Sequence, residues 1–329
     1  MHMADALVNP TVAISMYAAS AVVAAYSIKK VREENNPRKI PLMGVMGAFV
    51  FATQMLNFTI PGTGSSGHLC GGLLLAALLG PYAAFLTMIG ILTIQCLLFA
   101  DGGILALGCN IWNMGFYGCF VGGLLIWQPI IKKELSKMRI ILASILGSVL
   151  TLQLGSFSVT LQTTASGITE LPFSVFAATM QSIHLAIGTV EGAIIAAVLL
   201  FVYQARPELL YAADSKQEGS FSYTSTIATL FGASMIAAGG LSLAASENPD
   251  GLEWSLEKIT GSAELESNGA WHALAGEIQE LTALLPDYAF KGSESVWGTV
   301  FSGIFGSLLV IAVCYAFCQA FRFFKHTEA

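Results

Sequence analysis

Long apolar runs recur along this chain and decide what it can fold into. The stretches 11–28, 41–58, 83–100, 111–131, 140–158, 173–202, 224–245 and 296–321 are close to the roughly 20 residues a helix needs to cross hydrocarbon. A further run, 69–79, lies just ahead of Gly80-Pro81. Proline removes a helical hydrogen bond and clashes with the preceding turn, so 69–100 reads as a short helix, a turn and a span. The expected fold is an all-α, polytopic membrane protein of nine helical segments. Composition agrees: of 329 residues 11% are charged and 55% hydrophobic, where soluble domains carry roughly 25% charge. That excludes a water-soluble globule and a disordered chain, and a net charge of −6 argues against a nucleic-acid partner. The natural partner is the lipid bilayer, with a multi-pass location in the cell membrane.

The few charges set the orientation, because lysine and arginine stay on the cytoplasmic side. Loop 29–39 holds Lys29, Lys30, Arg32, Arg38 and Lys39, and loop 132–139 holds Lys132, Lys133, Lys137 and Arg139. Arg206 and Lys216 follow in 203–223, and Arg322 and Lys325 in the tail. An N-terminus outside and a C-terminus in the cytoplasm put 13 of the 15 basic residues inside, leaving Lys258 and Lys291 outside. No lysine or arginine precedes the first apolar run, so it is expected to stay rather than be cleaved as a signal peptide. His2 is too large for ready removal of Met1, and the chain is expected to begin with a free amine beside an imidazole.

This topology brings 1–10, 59–68, 101–110 and 159–171 to the outer side, and with them His2 and His68. An α-amine, the amide nitrogen of residue 2 and its Nδ1 form two fused chelate rings on a metal, and a second histidine supplies a fourth nitrogen. Square-planar nitrogen ligation favours Ni(II) or Cu(II) over Zn(II). Position alone also allows a stray histidine or a tag remnant at residue 2. Likewise the glycine-rich TIPGTGSSGH reads either as a ligand loop whose backbone approaches closely or as a flexible surface loop.

Four blocks resolve these alternatives by resemblance. MHMADALVNP resembles the MHIPDG-type start of the CbiM/NikM family, the substrate-binding membrane subunits of cobalt and nickel energy-coupling-factor transporters. GTGSSGHLCGGLLLAALLGPYAA, QCLLFADGGILALGCNIWNMGFYG and IHLAIGTVEG are similar to three further blocks of that family, in order, over about residues 1–200. The resemblance implies that Met1, His2 and His68 hold the metal, with Ni²⁺ or Co²⁺ as transported substrate. It also implies a seven-helix domain and, as partners, a transmembrane coupling subunit and a pair of ABC-type ATPases. Met3-Ala4 stands where the family has Ile/Val-Pro, Ala6 replaces a glycine, and the histidine loop is two residues longer. No nitrogen ligand is lost. ASENPDGLEWSLEK resembles the PDGLE-type, CbiN/NikN-like unit often fused to these subunits. The expected organisation is a metal-binding domain over 1–222 and a two-span unit over 223–329 with an outer loop 246–295. Nine acidic residues in 246–293 against Lys258 and Lys291 either concentrate cations at the outer mouth or simply keep the loop solvated.

Other polar residues carry two readings each. Asp5, Asp101, Asn110 and Asn113 fall at outer helix ends, placed to orient a histidine ring. His184 and Glu191 are seven residues apart on one helix face, where buried ionisable groups either bond neighbouring helices or bind an ion. A metal-dependent intramembrane enzyme would use His68, His184 and Glu191 together. Counting along the span puts His184 about 15 Å deeper than His68 at the helical rise. The third reading is an autonomous divalent-metal channel. The chain has no Gly-Lys dipeptide and hence no Walker A loop, so any ATP hydrolysis belongs to a partner.

Overall fold

The structure, a computed structural model, describes residues 1–34, 36, 39–214, 219–267, 269–293 and 295–327. Arg38 and Lys216 of the orientation argument lie outside these residues. Helix α1 (Pro10–Glu34) is followed by α2 (Lys39–Gln54), then a hairpin of β1 (Phe58–Ile60) and β2 (Ser65–Gly67). Next come α3 (Gly72–Leu79), α4 (Pro81–Phe99), α5 (Leu107–Lys133), α6 (Lys137–Ser166) and α7 (Phe173–Ala205). The remainder holds α8 (Tyr223–Gly239), α9 (Gly251–Thr260), α10 (Ala270–Thr282) and α11 (Val296–Thr327). Among the described residues, six helices are long and apolar enough to cross a membrane: α1, α4, α5, α6, α7 and α11 over Val296–Phe317.

The expected runs differ from these helices where apolar content alone does not distinguish structures. Run 41–58 divides into α2 and the first strand, because Phe58-Thr59-Ile60 is aromatic and β-branched and pairs with Ser65–Gly67 in antiparallel register. Run 224–245 ends as an α-helix at Gly239-Gly240 and finishes in a short 3₁₀ turn. The break at Gly80-Pro81 falls where expected, with Pro81 at the first helical position of α4. The acidic outer loop contains α9 and α10. Helix α9 starts at Asp250, whose side chain accepts the Leu252 and Glu253 N–H groups while Glu253 bonds back to the Asp250 N–H. This reciprocal cap satisfies donors that a helix start otherwise leaves open.

Helices α2, α3, α4 and α5 fill the centre, and every residue of α3 is buried. Helix α6 lies along α7 and turns Leu142, Leu146, Leu150 and Leu154 outward. Leucines every four residues make one continuous helical stripe, and an outward apolar stripe suits contact with lipid. Helices α8 and α11 pack on α2. The segments that matter next lie at one end of this bundle: residues 1–9, the hairpin, and 246–290.

Candidate metal centre

His68 is carried into the bundle by the chain that leaves the hairpin. Below it, the Glu191 carboxylate of α7 accepts the N–H groups of Cys70 (3.1 Å) and Gly71 (3.0 Å). Neither N–H has a helical partner, and buried backbone donors must be satisfied. Gly71 sits at φ +79°, and a Cβ there would lie 2.4 Å from Val50, so only glycine makes this bend. His68 Nδ1 donates to the Leu69 carbonyl (3.1 Å). Its Nε2 lies 2.8 Å from the Met1 amino nitrogen.

The first residues are bolted down from the other side. Met3 N–H donates to Asn110 Oδ1 (2.8 Å), Asn110 Nδ2 donates to the Met3 carbonyl (3.1 Å), and Gly103 N–H donates to the same carbonyl (2.9 Å). Asp5 accepts the Ala106 N–H (3.0 Å), and burial raises its pKa against those backbone bonds. Asn113 pairs with the Gln162 amide and packs its Nδ2 3.4 Å from the Met3 sulfur. Asp5, Asn110 and Asn113 therefore hold the N-terminal segment rather than touch a histidine ring.

His2 stacks on His68 with ring centroids 5.1 Å apart. Its Nδ1 lies 3.1 Å from Asp101 and its Nε2 3.2 Å from Gln95 Oε1. Burial lowers the His2 pKa to about 4, with Asp101 opposing the shift and His68 adding to it. A neutral imidazole is the form that binds metal.

His184 differs from its expected depth. Its ring shares with Met1, His68 and Asp250 the wall of a pocket of about 10 Å³, the room of about one water molecule. The cause is the inward run of 65–71, which takes His68 down to the level of α7 that a straight count from the outer face assigns to His184 alone. His184 Nδ1 donates to the Met180 carbonyl (2.7 Å). Glu191, by contrast, has both oxygens committed to backbone N–H groups.

Two residues that motif reasoning did not single out come from the far end of the chain. Asp250 Oδ2 pairs with the Met1 ammonium and lies 3.7 Å from His68 Nε2. Burial pushes its pKa up, but the Met1 charge and His68 outweigh this and hold the carboxyl well below its ordinary range. Tyr288, half-buried and stacked on Phe99, donates its hydroxyl to Asp101 (2.6 Å) and accepts from Gln95 Nε2 (3.1 Å). The Asp250–Glu253 spacing is a helix-start signal that marks the first; Tyr288 has no local signature. Outside the histidines opens a cavity of about 480 Å³, with Asp101, Asp250, Glu253, Glu264 and Asp287 in its walls.

Fold and site together define a polytopic helical membrane protein with a buried cluster of nitrogen donors reached through an acidic cavity. The chain belongs to the CbiM family: the model for the cobalt uptake substrate-specific transmembrane region matches residues 2–209, and that for the PDGLE domain matches 224–322. It is 33% identical over 98% of its length, and 99% of the other's, to an Archaeoglobus fulgidus protein provisionally named a fused nickel transport protein, NikMN. It is 27% identical, over 95% of both chains, to the fused nickel transport protein NikMN of Rhodobacter capsulatus. A crystal structure of a truncated transition metal transporter superposes with a TM-score of 0.54 at 30% identity, covering 61% of this chain and 98% of that one.

Proposed function

We propose that this protein captures Ni²⁺ or Co²⁺ at the outer face of the cell membrane and passes it inward as the substrate-specific subunit of an energy-coupling-factor transporter. The observation that carries this reading is the meeting of the Met1 amine, the His2 ring and His68 Nε2 in one buried cluster. The cation takes the Met1 amine and the His2 amide nitrogen once each has shed a proton to water, together with the His2 ring nitrogen and His68 Nε2. Binding through His2 Nδ1 exchanges its Asp101 contact for a metal bond. A planar nitrogen set tips the choice toward nickel, in keeping with the names of the NikMN relatives. The N-terminus faces outside and the C-terminus the cytoplasm. Units 1–222 and 223–329 are the metal-binding domain and its two-span accessory. A transmembrane coupling subunit and two ABC-type ATPases drive release.

The intramembrane-enzyme reading needs Glu191 free to act, and its bonds to Cys70 and Gly71 N–H argue against that. Purified protein should retain one Ni²⁺ or Co²⁺. His68→Ala or one residue added ahead of Met1 should abolish retention, as read by metal analysis after gel filtration. Undiminished affinity in the extended protein would sink the amine chelate.

A further inference from the structure

A carboxylate from the C-terminal unit reaches the cluster of nitrogen donors. The approach is built rather than incidental. Ser66, two residues before His68, donates its N–H to the Pro249 carbonyl (2.8 Å) and its hydroxyl to the Asn248 carbonyl (2.8 Å). Trp254 Nε1 donates to the Thr63 carbonyl (3.1 Å). The hairpin that carries His68 thus grips both flanks of Asp250. Gly251 closes the fit: a Cβ there would lie 2.8 Å from Ile187 Cδ1 and 3.0 Å from the His184 ring, so a larger residue has to displace both side chains for the start of α9 to come this deep.

The two oxygens of Asp250 are divided. Oδ1 accepts the Leu252 and Glu253 N–H groups and caps the helix. Oδ2 is the one that meets Met1 and faces His68. A helix cap needs only one oxygen, and asparagine serves as well as aspartate there. The second oxygen, on a side chain only 13% exposed and aimed between two nitrogens, is in excess of what the cap requires.

We propose that Asp250 is an oxygen donor to the captured cation, so that the C-terminal unit completes the metal centre from above the nitrogen plane. The idea rests on the Met1–His2–His68 site proposed above. In the empty site Oδ2 pairs with the Met1 ammonium; when the amine turns its lone pair to the cation, Oδ2 turns to the cation as well. A divalent ion then keeps a carboxylate counter-charge in a buried place, where an uncompensated charge is costly. Hard carboxylate oxygen also suits Ni²⁺ and Co²⁺ with more than four donors, widening the site beyond a strictly planar ion.

The test is Ni²⁺ titration calorimetry on the full chain in detergent, with Asp250→Asn, Gly251→Ala and His68→Ala beside the parent. Asp250→Asn keeps the cap but loses the Met1 ion pair, so melting should fall modestly, while Ni²⁺ affinity falls on the order of 10- to 100-fold. Gly251→Ala should weaken binding in the same direction by lifting α9. In the Ni K-edge spectrum of loaded Asp250→Asn, the feature of planar four-coordinate Ni(II) should strengthen. Unchanged affinity in Asp250→Asn with loss in His68→Ala would overturn the donor role and leave the nitrogen site standing. Tighter binding would overturn it too, marking Asp250 as a competitor for the amine, and weaker binding with an unchanged edge would exclude direct coordination. Full affinity in His68→Ala would instead remove the site on which the idea rests.

Discussion

Two parts of the chain, nearly 250 residues apart, meet at this cluster and are held there differently. The N-terminal segment is fixed by main-chain bonds: Met3 is fully buried, gripped at both its N–H and its carbonyl by Asn110 and again by Gly103. The C-terminal contribution arrives on a ten-residue helix and a tight turn, held by the hairpin and by side chains such as His272, whose Nε2 donates to the Val8 carbonyl (3.0 Å). Nitrogen donors with strict geometry therefore stand on the rigid frame, while the oxygens stand on an element docked against it. Damage to the frame should cost stability and metal binding together. Damage to the docked element should cost binding more than stability.

The largest effect is expected under His68. Glu191→Leu strips the partner from two buried N–H groups, at about 1–3 kcal/mol each. Thermal melting in detergent should fall sharply and Ni²⁺ retention should disappear. Glu191→Gln keeps one acceptor oxygen and should fall between that variant and the parent. Normal melting in Glu191→Leu would mean that the frame does not rest on this carboxylate. Next comes Asn110→Ala, which removes both side-chain bonds to Met3 at a combined cost of about 1–3 kcal/mol. It should lower stability and Ni²⁺ affinity in parallel, which distinguishes it from Asp250→Asn, where affinity falls far more than stability. Parallel losses in both variants would erase the distinction between frame and docked element.

Much of the frame was readable beforehand, and the reason is physical. Apolar runs and basic loops act over whole segments, so helix order, the Gly80-Pro81 break and the grouping of His2 with His68 all follow from charge and length. What local pattern does not encode is depth within the bundle. His184 was placed well below His68 because a straight count ignores the inward run of 65–71, whose direction depends on a bend at Gly71 and a carboxylate 120 residues away. Strand β1 overlaps the apolar run only at Phe58, and three residues with exposed Thr59 between Phe58 and buried Ile60 are too few for alternation to register. Asp250 is one acid among nine; the PDGLE block and Glu253 three residues on mark a helix start there, and neither tells that its second oxygen reaches Met1. Asp101 was expected near a histidine ring and lies beside His2; Asn110 and Asn113, chosen on the same argument, secure Met3 instead.

The smallest predicted effect on affinity tests the docked element most finely. Tyr288→Phe keeps the ring stacked on Phe99 (centroids 4.8 Å apart) and removes the hydroxyl that donates to Asp101 and accepts from Gln95 Nε2. The Asp101 side chain is 22% exposed and faces the outer cavity, so water takes the place of its lost donor. Gln95 is fully buried, and leaving its Nε2 without an acceptor should lower stability by about 1–3 kcal/mol. The bond to Asp101 is worth about 0.5–1.5 kcal/mol, or roughly two- to tenfold in affinity if the metal-bound state carries all of it. Since Asp101 also touches His2, weaker Ni²⁺ binding in Tyr288→Phe should vanish when the same substitution is made in a His2→Ala background. An equal loss with and without His2 would place Tyr288 outside the path from Asp101 to the metal. Abolished binding from the hydroxyl alone would mean that the rigid frame, too, depends on the C-terminal unit.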